Sequence, residues 1–294
     1  WVWVAGSMSR NAIVLDSMSK KPRPTPVPAE RIDGLIDAHT HLASAKARTK
    51  EEVDAIVARA VEAGVERICT VGDGLEEAEL ALQAAHFNDR VVAACAIHPT
   101  RAQELDDGAR NRLTEMAADP RCVAVGETGI DTYWLRHDPE RTASLEVQEE
   151  VLRWHIDLAV QSGKALMIHN REGDAELMRI LDDSPRPEHV ILHCFSSPIE
   201  VAREALDRGY VLSFAGNVTF KRNEFLREAA ALAPAGQYLI ETDAPFMTPE
   251  PFRGARNEPS FIGHTAKIVA EARGVDVTQV AREVGETFSQ VYGV

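Results

Sequence analysis

Two histidines stand one residue apart in Ile36-Asp37-Ala38-His39-Thr40-His41-Leu42, straight after an apolar run. In an extended strand, residues i and i+2 point to the same side. His39 and His41 therefore aim two imidazoles at one point, an arrangement suited to a metal ion. A pair of surface histidines at a strand end is the plain alternative. Five more metal-competent side chains, His98, Glu127, His169, His193 and Asp243, each close an apolar run further along the chain. Each has an ordinary reading when taken alone. His98 precedes Pro99 and suits a capped loop; Glu127 suits a solvated turn; His193 suits a satisfied core histidine; Asp243 suits a helix N-cap. Yet a glutamate ending the run Val123-Ala124-Val125 is costly to bury unless it is paired or binds metal. Histidines 86, 137, 155 and 264 fall in helical or loop segments instead. Imidazoles mixed with carboxylates suit zinc, manganese or nickel, and magnesium where carboxylates and waters dominate. So many ligands exceed what one tetrahedral ion needs. Two ions about 3.5–4 Å apart, sharing a carboxylate, hold both the attacking and the leaving oxygen of a hydrolysis.

The elements that must bring these residues together follow from the apolar pattern. Short runs recur as GLIDAH (34–39), RICTVG (67–72), VVAACAIH (91–98), VAVGE (123–127), ALMIH (165–169), HVILH (189–193), YVLSF (210–214) and YLIETD (238–243). Between them lie segments with apolar positions at helical spacing and a closing glycine, such as KEEVDAIVARAVEAG (50–64) and LEVQEEVLRWHIDLAVQSG (145–163). Eight apolar strands alternating with helices predict a parallel sheet closed into a (β/α)8 TIM barrel, a single domain of α/β class. An open doubly wound sheet is the second choice; no G-x-G-x-x-G follows the first strand. In such a barrel the site lies at the carboxyl ends of the strands, where the seven side chains fall. Residues 1–31, with the proline-punctuated KKPRPTPVPAE, read as a flexible tail. Residues 32–294 read as the barrel domain, with 261–292 as one or two closing helices.

Composition narrows the function. With 294 residues, 45% hydrophobic, the chain can bury one large core. A net charge of −14 argues against a protein that coats long polyanions with its whole surface, and leaves room for a local phosphate pocket. Cys69, Cys95 and Cys122 sit in apolar runs, and none of the four cysteines forms a C-x-x-C pair. Reduced thiols and a cytoplasmic location are expected. No run reaches about 18 apolar residues, so no membrane span is expected. Monomer is the default expectation.

The stretches IDAHTHL (36–42), AIHPT (96–100), GETGID (126–131), MIHNRE (167–172), ILHCFSS (191–197), SFAGNVTFK (213–221), LIETDAPFMTP (240–249) and RGARNEP (253–259) together resemble the TatD family. These are metal-dependent hydrolases, described as TatD-type deoxyribonucleases, within the amidohydrolase-like barrels. The resemblance runs over about 34–292. It implies His39 and His41 on a first metal, Glu127 bridging two divalent ions, and His169 and His193 on the second. It implies Asp243 on the first metal, placed to take a proton from the attacking water. His98 and Arg171 match residues near a substrate phosphate. Two stretches depart from the family pattern: His169-Asn170-Arg171-Glu172-Gly173, where HSRDA is common, and Asp131-Thr132-Tyr133-Trp134, where a Tyr-Tyr pair is common. Both line the expected mouth and bear on substrate preference.

The residues and the resemblance agree on metal-assisted hydrolysis, with Asp243 and Glu127 as the catalytic carboxylates. A phosphodiester substrate such as DNA, cut from the 3′ end, needs cations on its phosphate oxygens, and Arg171, Lys221 and Arg253 are the candidates. Arg256 reads as surface charge. Phe195, Tyr133 and Trp134 are candidates to stack on a base. An amide or ester hydrolase, such as an aminoacyl deacylase, is the second enzyme reading. A non-catalytic metal-binding protein is a third, and the spare carboxylate of Asp243 argues against it, because a structural zinc site closes with four ligands.

Overall fold

The computed structural model describes residues 24–294. Most of the expected tail, residues 1–23, lies outside the described residues. Residues 24–31 form neither helix nor strand. His264 Nε2 donates to the Val27 carbonyl at 2.9 Å, and Arg31 donates to the carbonyls of Val61 and Glu62 at 2.7 and 2.9 Å.

Strand and helix then alternate. β1 (Leu35–Thr40) leads through α1 (Lys50–Glu62) to β2 (Val65–Val71), and α2 (Leu75–Phe87) leads to β3 (Val91–Ala94). After α3 (Asp107–Ala118) comes β4 (Cys122–Asp131), followed by the short α4 (Thr132–His137) and the long α5 (Leu145–Ser162). Next come β5 (Ala165–Arg171), α6 (Asp174–Asp182), β6 (Val190–Leu192), α7 (Ile199–Asp207), β7 (Val211–Phe214), α8 (Glu224–Leu232) and β8 (Tyr238–Ile240). α9 (Ile262–Arg273) and α10 (Val277–Tyr292) complete the chain. The strands pair in sequential order, all parallel, as the apolar pattern predicts for a TIM barrel.

Local chemistry sets the helix limits. Thr49 and Glu52 form a capping box at the start of α1, whose buried Val53, Ile56, Val57 and Ala60 follow helical spacing. Ser144 caps α5, and Gly163 ends it in the left-handed conformation at φ +64°. The strand side chains pack into one continuous core with the inner faces of the helices. Each fully buried Leu, Ile or Val contributes about 1.5–3 kcal/mol.

Beyond β8 the chain runs alongside β1 and closes the ring at the carboxyl ends of the strands. Asp243 N donates to His39 O at 2.9 Å and His41 N to Ala244 O at 2.7 Å. The wholly buried Asp37 accepts from Thr242 N at 2.9 Å and from Thr242 Oγ1 at 2.5 Å. Tyr292 of α10 donates to the Ala38 carbonyl at 3.2 Å.

The strands differ in extent from the apolar runs: β3 and β8 stop short, at Ala94 and Ile240, whereas β4 and β5 run on. Glu127 does not end β4: the strand continues to Asp131, with a register shift between Val125 and Thr128 against β5. A bulge re-aims one side chain without ending the pairing, so a polar residue within a buried strand can face the mouth. β5 likewise continues past His169 to Arg171.

Candidate metal centre

The seven expected side chains come from six different strands or the loops after them, and they meet. His39 Nε2 lies 3.1 Å from His41 Nε2, 3.3 Å from Glu127 Oε2 and 3.7 Å from Asp243 Oδ1. His41 Nε2 is 3.4 Å from the same Asp243 oxygen. The ring of His193 stacks on that of His39 at 3.9 Å, and its Nε2 is 2.7 Å from Glu127 Oε2. His98 Nε2 stands 3.3 Å from the other Glu127 oxygen, and the His98 and His169 rings are 4.3 Å apart. Three sets of ligand atoms lie mutually within 4.8 Å: His39 with His193 and Asp243, His39 with His41 and Glu127, and His98 with Glu127 and His169. Glu127 belongs to two of these sets. His193 is grouped with His39, and His98 takes the place beside His169 that the resemblance gives to His193.

The residues behind the histidines fix which nitrogen faces inward. His41 Nδ1 lies 3.2 Å from both the Val71 carbonyl and Asp73 Oδ1, two acceptors, so it carries the proton there and Nε2 is left as a donor atom toward the cluster. His193 Nδ1 faces Glu241 Oε1 at 3.2 Å, and Glu241 also accepts from Cys194 N at 2.9 Å and from Ser213 Oγ. His169 Nε2 donates to Asp131 Oδ2 at 3.0 Å, and the other oxygen of Asp131 caps α4 through Trp134 N at 2.7 Å. A carboxylate behind a ligating histidine sets its tautomer and raises its basicity. His98 is the exception. Its Nδ1 accepts from Thr100 N at 3.2 Å and from Thr100 Oγ1 at 2.7 Å, so Nε2 holds the proton. That makes His98 a hydrogen-bond donor rather than a ligand, in agreement with its expected place near substrate. Asp73, Asp131 and Glu241 escape a reading that takes only the last polar residue of each run. The signal was there: Glu241 lies two residues before Asp243, on the same side of the run.

The donor set fits divalent metal. Ligands 2.0–2.2 Å from a tetrahedral zinc stand about 3.3–3.6 Å apart, close to the separations among His39, His41, Glu127 and Asp243. Glu127 Oε2 is buried without a well-aligned hydrogen-bond donor, between His193 Nε2 at 2.7 Å and His39 Nε2 at 3.3 Å. Oxygens and nitrogens gathered at these distances need protons or a cation among them to offset their lone pairs, and this donor set suits a divalent cation. Burial holds His39 well below its ordinary pKa, and the neighbouring His193 adds to this, so it is a neutral imidazole ready to bind. Burial also opposes charge on His41, but Asp73, Asp243 and Glu127 outweigh it and push the pKa up to about 10. His193 rises well above its ordinary value against its own burial, because Glu127 and Glu241 outweigh it. Protons on these rings balance the acids, and metal binding releases them. Glu127, despite burial, is held well below the usual carboxylate range by His193, His39 and His98. Asp243 adopts φ +51°, a left-handed conformation costly for a non-glycine residue. Its backbone bonds to His39 O and from Phe246 N hold it there.

Around this cluster the rim residues divide. Arg171 lies flat over Tyr133 at 3.8 Å and near Trp134 at 5.5 Å, and Arg253 lies over Phe220 at 4.2 Å. Neither arginine makes an ion pair among the described residues. Lys221 is exposed and lines a depression of about 600 Å³ with Glu224, Arg227 and residues of α9. Arg256 donates to the Ser44 carbonyl at 2.8 Å. Phe195 is not available for stacking: it is 3% exposed and packs edge-on against Phe214, because the turn after His193 points it into the core. Trp134 is 42% exposed. Phe246, which the sequence did not single out, is 53% exposed and meets His41 edge-on at 6.0 Å.

Comparison with known proteins agrees with this architecture. The family model described as TatD related DNase matches residues 36–293. A protein of Mycobacterium tuberculosis named as an uncharacterized metal-dependent hydrolase, TatD, is 46% identical over 263 residues, covering 88% of this chain and 98% of its own. The 3'-5' ssDNA/RNA exonuclease TatD of Enterobacter lignolyticus is 30% identical over 251 residues, covering 82% of this chain and 93% of its own. Among solved structures, the TatD homolog YJJV of Escherichia coli superposes with a TM-score of 0.79 at 25% identity, covering 89% of this chain and 98% of that one. Matched over its whole barrel, with the histidines and acids gathered at the mouth, the chain belongs to the TatD family of metal-dependent hydrolases.

Proposed function

We propose that the chain is a deoxyribonuclease that hydrolyses phosphodiester bonds from the 3′ end of DNA and uses two divalent ions. The observation that carries this reading is the pair of arginines, Arg171 at the end of β5 and Arg253 in the loop after β8, laid on aromatic rings without acidic partners among the described residues. In a chain of net charge −14, most arginines engage an acid or a carbonyl. Guanidiniums left free at a hydrolytic centre suit an anionic substrate. The exonuclease name of the Enterobacter relative supports the same choice.

His39, His41, Glu127 and Asp243 would hold one ion, and Glu127, His169 and His193 the other, with magnesium, zinc, manganese and nickel as the candidates. Bound there, the ions supply Lewis acidity and a water acidic enough to ionise near neutral pH. Asp243 would accept a proton from the attacking water and orient it. His98, neutral because burial lowers its pKa to about 3, offers Nε2–H to a phosphate oxygen. Arg171 neutralises the charge that grows on the phosphoryl oxygens. Asp131, Asp73 and Glu241 keep the rings from turning.

End-labelled single-stranded DNA, an aminoacylated RNA and a simple ester, each incubated with a series of divalent ions, test this. Shortening of DNA from its 3′ end, abolished by chelation and restored by metal, is the expected result. Asp243→Asn keeps the fold and loses at least about a hundredfold in turnover. Cleavage of the aminoacyl or simple ester alone, or full activity after exhaustive chelation, ends the reading.

A further inference from the structure

Two aromatic–guanidinium stacks stand in segments at the carboxyl ends of strands on opposite sides of the ring. Arg171 ends β5 and Tyr133 and Trp134 follow β4, whereas Phe246 and Arg253 lie in the loop after β8, with Phe220 after β7. In a sequential eight-stranded ring, β4 and β5 lie across from β8 and β1. The proposed phosphodiester reading uses a cation on each side and leaves Phe246 without a role.

Phe246 is held rather than loose. Its N–H donates to the Asp243 carbonyl at 2.8 Å, and its own carbonyl accepts from the buried Asn257 Nδ2 at 2.7 Å. The loop beyond it is tied to the β7 side by Glu250 N donating to Thr219 Oγ1 at 2.8 Å. At Gly216 the two loops come so close that a Cβ would stand 1.8 Å from the Met247 carbonyl. The backbone at Phe246 is thus fixed, and its phenyl ring stands half in solvent, three residues from Asp243, steeply inclined to the ring of His41 with centroids 6.0 Å apart. Burial is the ordinary place for phenylalanine. A rigid aromatic face left open beside a hydrolytic centre suits a flat, weakly polar group, and a nucleobase is that group in a chain of phosphodiesters.

We propose that Phe246, with Arg253 stacked on Phe220, forms a second nucleotide subsite that holds the unit on the far side of the scissile phosphate from Arg171. This rests on the phosphodiester reading. The base stacks on Phe246, and Arg253 takes the next phosphate of the strand. The substrate therefore crosses the mouth, with one nucleotide on each side of the bond cut. Recognition through a π-face is tolerant of base identity.

The test compares wild type, Phe246→Ala, Phe246→Trp and Arg253→Gln on a thymidine dinucleotide, a short oligothymidylate and methyl 4-nitrophenyl phosphate. Phe246→Ala should raise KM for the dinucleotide about tenfold or more, with a much smaller effect on the methyl ester, and Phe246→Trp should restore the dinucleotide KM. Arg253→Gln should weaken the oligothymidylate more than the dinucleotide and lower the salt dependence of binding. Fluorescence anisotropy of a labelled oligothymidylate under chelation reads the same ranking without turnover. Equal losses on all three esters, or none in Phe246→Ala, overturn the subsite while wild-type cleavage leaves the phosphodiester reading standing. Wild type inert toward every phosphodiester overturns both.

Discussion

Glu241 gives one carboxylate to three donors: the ring of His193, the backbone of Cys194 and the hydroxyl of Ser213. Fully buried, with its pKa raised by desolvation, it pays its way only as the brace of a ligand. Glu241→Gln keeps the shape but loses the anion that fixes His193. Affinity for zinc should fall about 10–100-fold, read by calorimetric titration of zinc into the metal-free protein, while the urea midpoint moves far less. Unchanged zinc affinity would reduce Glu241 to a space-filling residue. At this scale the ligand types were legible and their supports were not. His39 and His41 announce themselves by spacing, whereas Asp131 and Glu241 are acids like many others until the fold sets them behind a ring.

The strand pair β4–β5 carries Glu127 and His169 and depends on a close approach. At Gly129, with φ +150°, a Cβ would stand 1.9 Å from the His169 carbonyl. Gly129→Ala must push the strands apart or twist the backbone, at a cost of about 3 kcal/mol, and it should lower zinc affinity as well. Gly285 of α10 is the contrast, since a Cβ there meets nothing within 4 Å. Gly285→Ala should stabilise by about 0.5–1 kcal/mol, and urea unfolding of the two variants should move in opposite directions. The apolar runs revealed both strands. They did not reveal that β4 passes through Glu127 in a bulge, because a bulge depends on how the neighbouring strand pairs.

For the whole molecule, one buried histidine behind the cluster ties the layers together, with Thr128 Oγ1 3.2 Å from its Nδ1. His155 of α5 donates from Nδ1 to the Val151 carbonyl at 2.8 Å and accepts on Nε2 from Ile97 N, beyond the end of β3, at 3.3 Å. Only the neutral ring makes both bonds, and burial lowers its pKa to about 4. The unfolded chain, titrating near 6.5, binds this proton more readily than the folded one. The contribution is therefore complete above pH 6.5 and is lost as pH falls toward 4, about 3 kcal/mol over that window. Urea midpoints measured from pH 7.5 to 4 should fall more steeply in wild type than in His155→Gln. Parallel slopes would show that the ring does not carry the acid sensitivity.

The sequence by itself determined the barrel and the membership of the cluster. Eight apolar runs with helical segments between them leave little choice of architecture, and ligand types at the ends of those runs survive any small error in where a strand stops. Tertiary structure decided what depends on neighbours distant in the chain. It turned Phe195 into the core, left Phe246 in solvent, set His98 as a donor through Thr100, and laid Arg171 and Arg253 on rings. The physical reason is range. Periodicity and residue type act along the chain, whereas a side chain's tautomer, exposure and partner are fixed by groups that only the closed ring brings within a few ångströms.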